Sequence, residues 1–173
     1  RYVKLINELG SEDHKDAILL AIGSREMQER RLGLYAFFIL AKRPWLQKKS
    51  DHELIARVLM KDADKKCRIY SALIFEKLSP PSETARIALE EGAFDAAPSV
   101  RRISLNALSR YRDPSFTKTF IKQLKDKLPE VRIAAAGALA VLGNDRAIIA
   151  LSDHYNESEA LERSEVIDSL QDV

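Results

Sequence analysis

The sequence predicts an all-α solenoid, a stack of helix–turn–helix units with no strands. Three observations carry this. First, five arginines keep one register: Arg30, Arg68, Arg101, Arg132 and Arg163 are spaced 38, 33, 31 and 31 residues apart. A near-constant period of this length marks repeats that stack on their neighbours without a central core. Second, apolar residues return at helical spacing after every arginine. Phe37, Phe75, Leu108, Leu139 and Leu170 stand seven residues on, and Leu40, Leu78, Tyr111, Leu142 and Val173 three further. Third, a small polar or acidic residue stands six positions before each arginine: Ser24, Asp62, Asp95, Asp126 and Glu157. Abundant Ala and Leu and only 7% aromatic residues favour helices over strands.

The register divides residues 1–173 into a partial unit (1–23), four full repeats (24–61, 62–94, 95–125 and 126–156) and a second partial unit (157–173). Extended backwards, it places Ile6 and Leu9 at the two apolar positions of the first unit. In repeat 24–61 a long turn from Lys42 to Asp51 separates the two helices. In repeat 62–94 the break is Ser79-Pro80-Pro81. Repeat 95–125 shows the unit most clearly. Pro98 stands where a first helical turn starts and its missing N–H costs nothing. Val100, Ile103, Ala107 and Leu108 line one helix face, and Asp113-Pro114 breaks the chain. Phe116, Phe120, Ile121 and Leu124 then mark a second helix. Repeat 126–156 follows suit, with Pro129, then Val131, Ala134, Ala138 and Leu139, then the turn Gly143-Asn144-Asp145, then Ala147, Ile148 and Leu151. Val173 falls on the last apolar position of its helix, so the chain is expected to begin and end inside repeats, as a piece of a longer protein does.

Composition excludes several classes. A hydrophobic content of 46% excludes wholesale disorder, and no apolar run reaches the ~20 residues that span a bilayer. The single cysteine excludes a disulfide framework. Cys67 occupies the position of Val100 and Val131, which predicts a buried structural thiol. With no signal-peptide pattern, the expected compartment is the cytoplasm. The net charge of +2 is unevenly spread: residues 1–60 carry +3, residues 61–125 carry +5 and residues 126–173 carry −6. Such polarity can orient a charged partner along an array.

The pattern Asp-x-x-x-x-Val-Arg-x-x-Ala-x-x-Ala-Leu, followed by a turn with Asp or Asn, resembles HEAT repeats. The short 31-residue period is similar to that of the phycobilisome-lyase-type subgroup. The likeness is strongest over residues 95–157, clear over 62–94 and looser over 24–61. It implies a right-handed superhelix with second helices on the concave face and first helices on the convex one. In such stacks acidic and basic residues pair within and between repeats, and a partly buried charge needs such a partner. Asp62, Arg68, Asp95, Arg101, Asp126, Arg132, Glu157 and Arg163 are therefore expected to form a structural ladder rather than a ligand site.

Enzymatic members of the class set tests that this chain does not meet. HEAT-like deoxyhypusine hydroxylases hold two irons with several His-Glu pairs, whereas His52-Glu53 is the one pair here. His14, His52 and His154 are expected at the surface, without metal-ligand spacing. The alkylpurine glycosylase branch cradles a flipped base with several tryptophans, and Trp45 stands alone. No Gly-rich phosphate loop, nucleophile elbow or zinc pattern occurs. The expectation is a protein without catalytic residues, metal or cofactor.

Two basic features are candidate partner sites. The turn Lys42-Arg43-Pro44-Trp45-Leu46-Gln47-Lys48-Lys49 surrounds the tryptophan with Lys42, Arg43, Lys48 and Lys49. It suits either an edge contact or a tryptophan tucked under the solenoid with solvated lysines around it. Lys118, Lys122 and Lys125 form a stripe on a second helix, opposite Phe120 and Leu124. The equivalent positions one repeat later are Ile149, Asp153 and Asn156, so the stripe stops there. The leading expectation is a scaffold that binds another protein along its concave face. Nucleic-acid binding through the basic first two-thirds is the alternative, and a chromophore-lyase-like role the third.

Overall fold

The computed structural model describes residues 11–78, 82–157 and 167, and among these every regular element is helical. Nine α-helices follow in order: α1 (Lys15–Ile22), α2 (Met27–Leu40), α3 (Lys49–Lys61), α4 (Lys65–Lys77), α5 (Glu83–Gly92), α6 (Pro98–Arg110), α7 (Thr117–Gln123), α8 (Pro129–Leu142) and α9 (Asp145–Glu157). Short 3₁₀ turns at Glu12–His14, Pro44–Leu46 and Pro114–Phe116 precede α1, α3 and α7. Ile6, Leu9, Ser79-Pro80-Pro81, Arg163, Leu170 and Val173 lie outside the described residues.

The helix ends follow from local chemistry. Pro98 and Pro129 open α6 and α8 at the first helical position. The side chains of Asp64, Ser82 and Asn144 accept hydrogen bonds from the amides of Cys67, Ala85 and Ala147, capping α4, α5 and α9. Gly143 ends α8 at φ 58°, where its N–H donates to the Leu139 carbonyl. That left-handed conformation suits a residue without Cβ.

Helices α2, α4, α6 and α8 form one layer, each packed on the next. The second helices form the other layer, and α1, α3, α5 and α7 pack on α2, α4, α6 and α8, the first helices of the following repeats. The sequence unit is helix–turn–helix, but the principal packing unit joins a second helix to its successor. The reason lies in the corners. Asp62–Asp64 turns the chain in three residues from α3 to α4, and residues 93–97 and 124–128 do so in five before α6 and α8. The core runs the length of the stack through Leu34, Phe37, Ile55, Leu59, Cys67, Phe75, Leu105, Phe116, Phe120 and Leu139. Burial pushes the Cys67 thiol up to about 12, which keeps it protonated and inert.

Two glycines report how tight the stack is. A Cβ on Gly33 would lie 2.8 Å from the Ile22 amide nitrogen and 3.0 Å from the Ile18 carbonyl oxygen, so α1 and α2 touch backbone to backbone. A Cβ on Gly137 would meet nothing within 4 Å. Alanine has the better helix propensity by about 1 kcal/mol, so the two substitutions should differ in sign. Gly137→Ala should stabilise by about 1 kcal/mol, and Gly33→Ala should destabilise by about 1–3 kcal/mol through overpacking. Urea unfolding of both variants checks this, and equal signs would mean the α1–α2 approach is looser than described.

Candidate functional site

The arginine register is a ladder between repeats. Arg30 donates from Nε and Nη2 to the Asp62 carboxylate at 2.7 and 3.1 Å. Arg68 does the same to Asp95 at 2.6 and 2.9 Å, and Arg101 to Asp126 at 2.7 and 2.9 Å. The third nitrogen, Nη1, turns back to the chain six residues earlier. It donates to the Ser24 carbonyl from Arg30, to the Asp62 carbonyl from Arg68, to the Asp95 carbonyl from Arg101 and to the Asp126 carbonyl from Arg132. The six-residue spacing therefore records a contact to a main-chain carbonyl. The carboxylate bond crosses to the following repeat. Glu157 closes α9 with a side chain outside the described residues, as is all of Arg163.

Each aspartate also holds its own corner. One carboxylate oxygen of Asp62, Asp95 and Asp126 accepts the amide two residues on, from Asp64, Ala97 and Leu128 at 2.9, 2.7 and 2.9 Å. Burial pushes the Asp126 carboxyl up, but the Arg101 guanidinium and the Leu128 amide outweigh it and hold it below the usual carboxylate range. A further pair, Arg31 to Asp64 at 2.8 and 2.7 Å, reinforces the first interface and holds Asp64 far below that range. Its equivalents in later repeats are Ile69 and Ala97, then Arg102 and Leu128, so no periodic signal marks it in the sequence.

The Lys42–Lys49 turn is anchored from below. Leu46 is fully buried and Trp45 is half-buried against the core. Lys15, a buried lysine at the start of α1, donates to the Trp45 carbonyl and pairs with Asp51 at 2.6 Å. The Gln47 amide nitrogen donates to the Ala41 carbonyl and closes the turn. Lys42, Arg43, Lys48 and Lys49 remain exposed, Lys49 with a loose contact of 4.0 Å to Glu53. Lys42 and Lys77 share the rim of a cleft of roughly 350 Å³. Lys77 donates to the Phe38 carbonyl at 3.0 Å and sits 3.6 Å from the Phe38 ring centroid; burial and the Lys42 charge both lower its pKa.

His52 corrects an expectation. Rather than lying at the surface it is 7% exposed, edge-on to the Phe75 ring at 6.4 Å, with Nε2 buried and without a hydrogen-bond partner. The cause is helical geometry: Ile55, Ala56 and Leu59 stand three, four and seven residues on, so His52 falls on the buried side of α3. Burial lowers its pKa, with the Asp51 charge pulling the other way. His14 is exposed and His154 half-buried. Among the described residues no three His, Cys, Asp or Glu side chains converge as metal ligands.

On the second-helix layer Lys118, Lys122 and Lys125 are exposed and none forms an ion pair among the described residues. Beside them stand two apolar side chains that the repeat pattern did not single out. Phe94 is 52% exposed, with Lys122 Nζ 5.9 Å from its ring centroid, and Ile87 is 46% exposed. Neither residue belongs to the periodic core, which is why the pattern passes over them.

Two measurements test the ladder. Asp95→Ala and Arg68→Ala should each cost roughly 3 kcal/mol, because each leaves a largely buried charge unpaired. Arg68→Lys should recover little, since one ammonium cannot make the fork and the return contact together. A double-mutant cycle should show coupling of about 1–3 kcal/mol; near-zero coupling would mean the pair does not join the repeats. Stability should also fall in two acid phases. The folded pKa of His52 is lowered, so its contribution is present above the ordinary histidine value and fades as pH drops below about 6.5. Asp64 and Asp126 are lowered too, so their contribution fades only below about 4. Melting curves from pH 7 to 3 should show both phases, and His52→Phe should flatten the first.

Comparison with known proteins agrees with this architecture. A family model described as HEAT repeats matches residues 84–171. No curated protein matches the chain significantly in sequence. Among solved structures, an engineered protein superposes with a TM-score of 0.66 at 16% identity, over 98% of this chain and 81% of that one. Human deoxyhypusine hydroxylase in complex with glycerol superposes with a TM-score of 0.60 at 16% identity, over 95% of this chain. This chain spans 64% of the hydroxylase's length, and identities this low speak to the fold alone. The match over half of the chain, on a stack of paired helices bound by a repeating Arg–Asp ladder, places it in the HEAT-repeat family.

Proposed function

We propose that this chain is a non-catalytic protein-interaction scaffold that binds its partner along the second-helix face, with the Lys42–Lys49 turn as an edge contact. HEAT repeats generally mediate protein interactions. The observation that favours this face is the fate of the charges. Arg30, Arg68 and Arg101 are satisfied inside the stack, whereas Lys118, Lys122 and Lys125 stand exposed without a carboxylate partner among the described residues. Exposed cations beside apolar side chains suit the rim and anchor of a protein interface. The anchored turn adds a second basic surface whose backbone is held by Lys15 and Gln47.

Affinity capture from a lysate of the source organism, with and without nuclease, tests the proposal. Discrete proteins should be retained in both halves, and Lys118→Glu with Lys122→Glu should reduce capture at least about tenfold. Loss of the captured material on nuclease treatment, with binding that falls steeply with salt, would overturn it in favour of nucleic acid.

A further inference from the structure

We infer that the surface between α5 and α7 takes an acidic peptide segment carrying an aromatic or aliphatic anchor, seated at Phe94 and Ile87 with its carboxylates on Lys118, Lys122 and Lys125. The inference rests on the scaffold reading and names the chemistry of its partner.

Side chains tie the two helices and their flanking turns together. Thr119 donates to the Glu90 carboxylate at 3.1 Å, Arg86 donates to the Ser115 hydroxyl at 3.2 Å, and Lys122 reaches over the Phe94 ring. This lateral pairing brings exposed apolar side chains from α5 and its following turn next to exposed cations from α7. Ile87 on α5 and Phe94 in the turn that follows it are both exposed. An exposed phenylalanine beside an ammonium without a carboxylate partner makes the two halves of a hot spot, an apolar seat and a charge whose attraction to a bound carboxylate strengthens as water is excluded. Lys118 and Lys122 stand one turn apart on α7, about 6 Å at 1.5 Å per residue, with Lys125 in the turn that follows, a stripe that two or three carboxylates of one peptide can reach.

The flanking charges favour a short acidic peptide over a nucleic acid. On α5 the neighbours include Glu83, Glu90 and Glu91, and on α9 Asp153. A phosphodiester strand crossing the face would leave the lysines within one helix and meet carboxylates on either side, whereas its affinity depends on many phosphates neutralised in succession. A peptide with few carboxylates and one large side chain needs only the one stripe.

Selection from an unbiased peptide display library against the whole chain tests this. Enriched peptides should combine acidic residues with an aromatic or large aliphatic residue. Their affinity should fall at least about tenfold for Phe94→Ala, and further, with steeper salt dependence, for Lys122→Glu. Both positions are exposed, so circular dichroism should show unchanged helix in each variant. Peptides that enrich but bind Phe94→Ala and Lys122→Glu as tightly as the parent would overturn this site and leave the scaffold reading standing. Peptides without acidic residues would overturn the stated chemistry. No enrichment, together with tight binding of a single-stranded oligonucleotide, would overturn both.

Discussion

Each ladder aspartate does two things at once, and the stack depends on their coincidence. Asp62, Asp95 and Asp126 bind the amide two residues ahead, which sets the corner into the next first helix. The same carboxylates accept a bidentate guanidinium from the repeat before. The corner and the stacking angle are thus set by one side chain, so a change in one is felt in the other. The guanidinium closes the arrangement by donating back to the corner of its own repeat. Only arginine offers a planar fork and a third nitrogen aimed another way, which accounts for the residue type as well as its spacing.

That arrangement also divides the surface. Charges in the ladder pairs are largely shielded, with side-chain exposures from 5% at Asp62 to 18% at Arg30. Outside the ladder, the second-helix lysines, Phe94, Ile87 and the basic residues of the Lys42–Lys49 turn are exposed. The residues that build the repeat architecture are therefore different from those proposed for recognition. In a solenoid each unit need only keep its neighbour contacts, and its outward positions can vary independently.

Repeat 24–61 carries extra ties on both sides. Toward repeat 62–94 it adds Arg31–Asp64 to the ladder pair; toward the unit before it, α1 and α2 come into backbone contact at Gly33 and Lys15 is buried with Asp51 beneath the inserted turn. The repeat there is 38 residues long, and the extra chain between Lys42 and Asp51 needs its own anchorage. Lys15 supplies it by meeting a carbonyl and a carboxylate together, the arrangement that a buried ammonium requires.

The sequence by itself determined the helical class, the breaks between helices at Asp62, Asp95 and Asp126, the prolines that open helices, the apolar face and the burial of Cys67. All of these follow from local spacing and propensity, and the period repeats them often enough to be read. Tertiary structure alone decided which partner each charge takes. The six-residue interval could not reveal that the arginine meets the aspartate's carbonyl at home and a carboxylate next door, because the distance between repeats in space is independent of their distance along the chain. It also decided that His52 is buried, that Lys15 reaches across 36 residues to Asp51, and that Phe94 stands beside Lys122. Each is a single contact made once, and a contact made once leaves no period in the sequence to read.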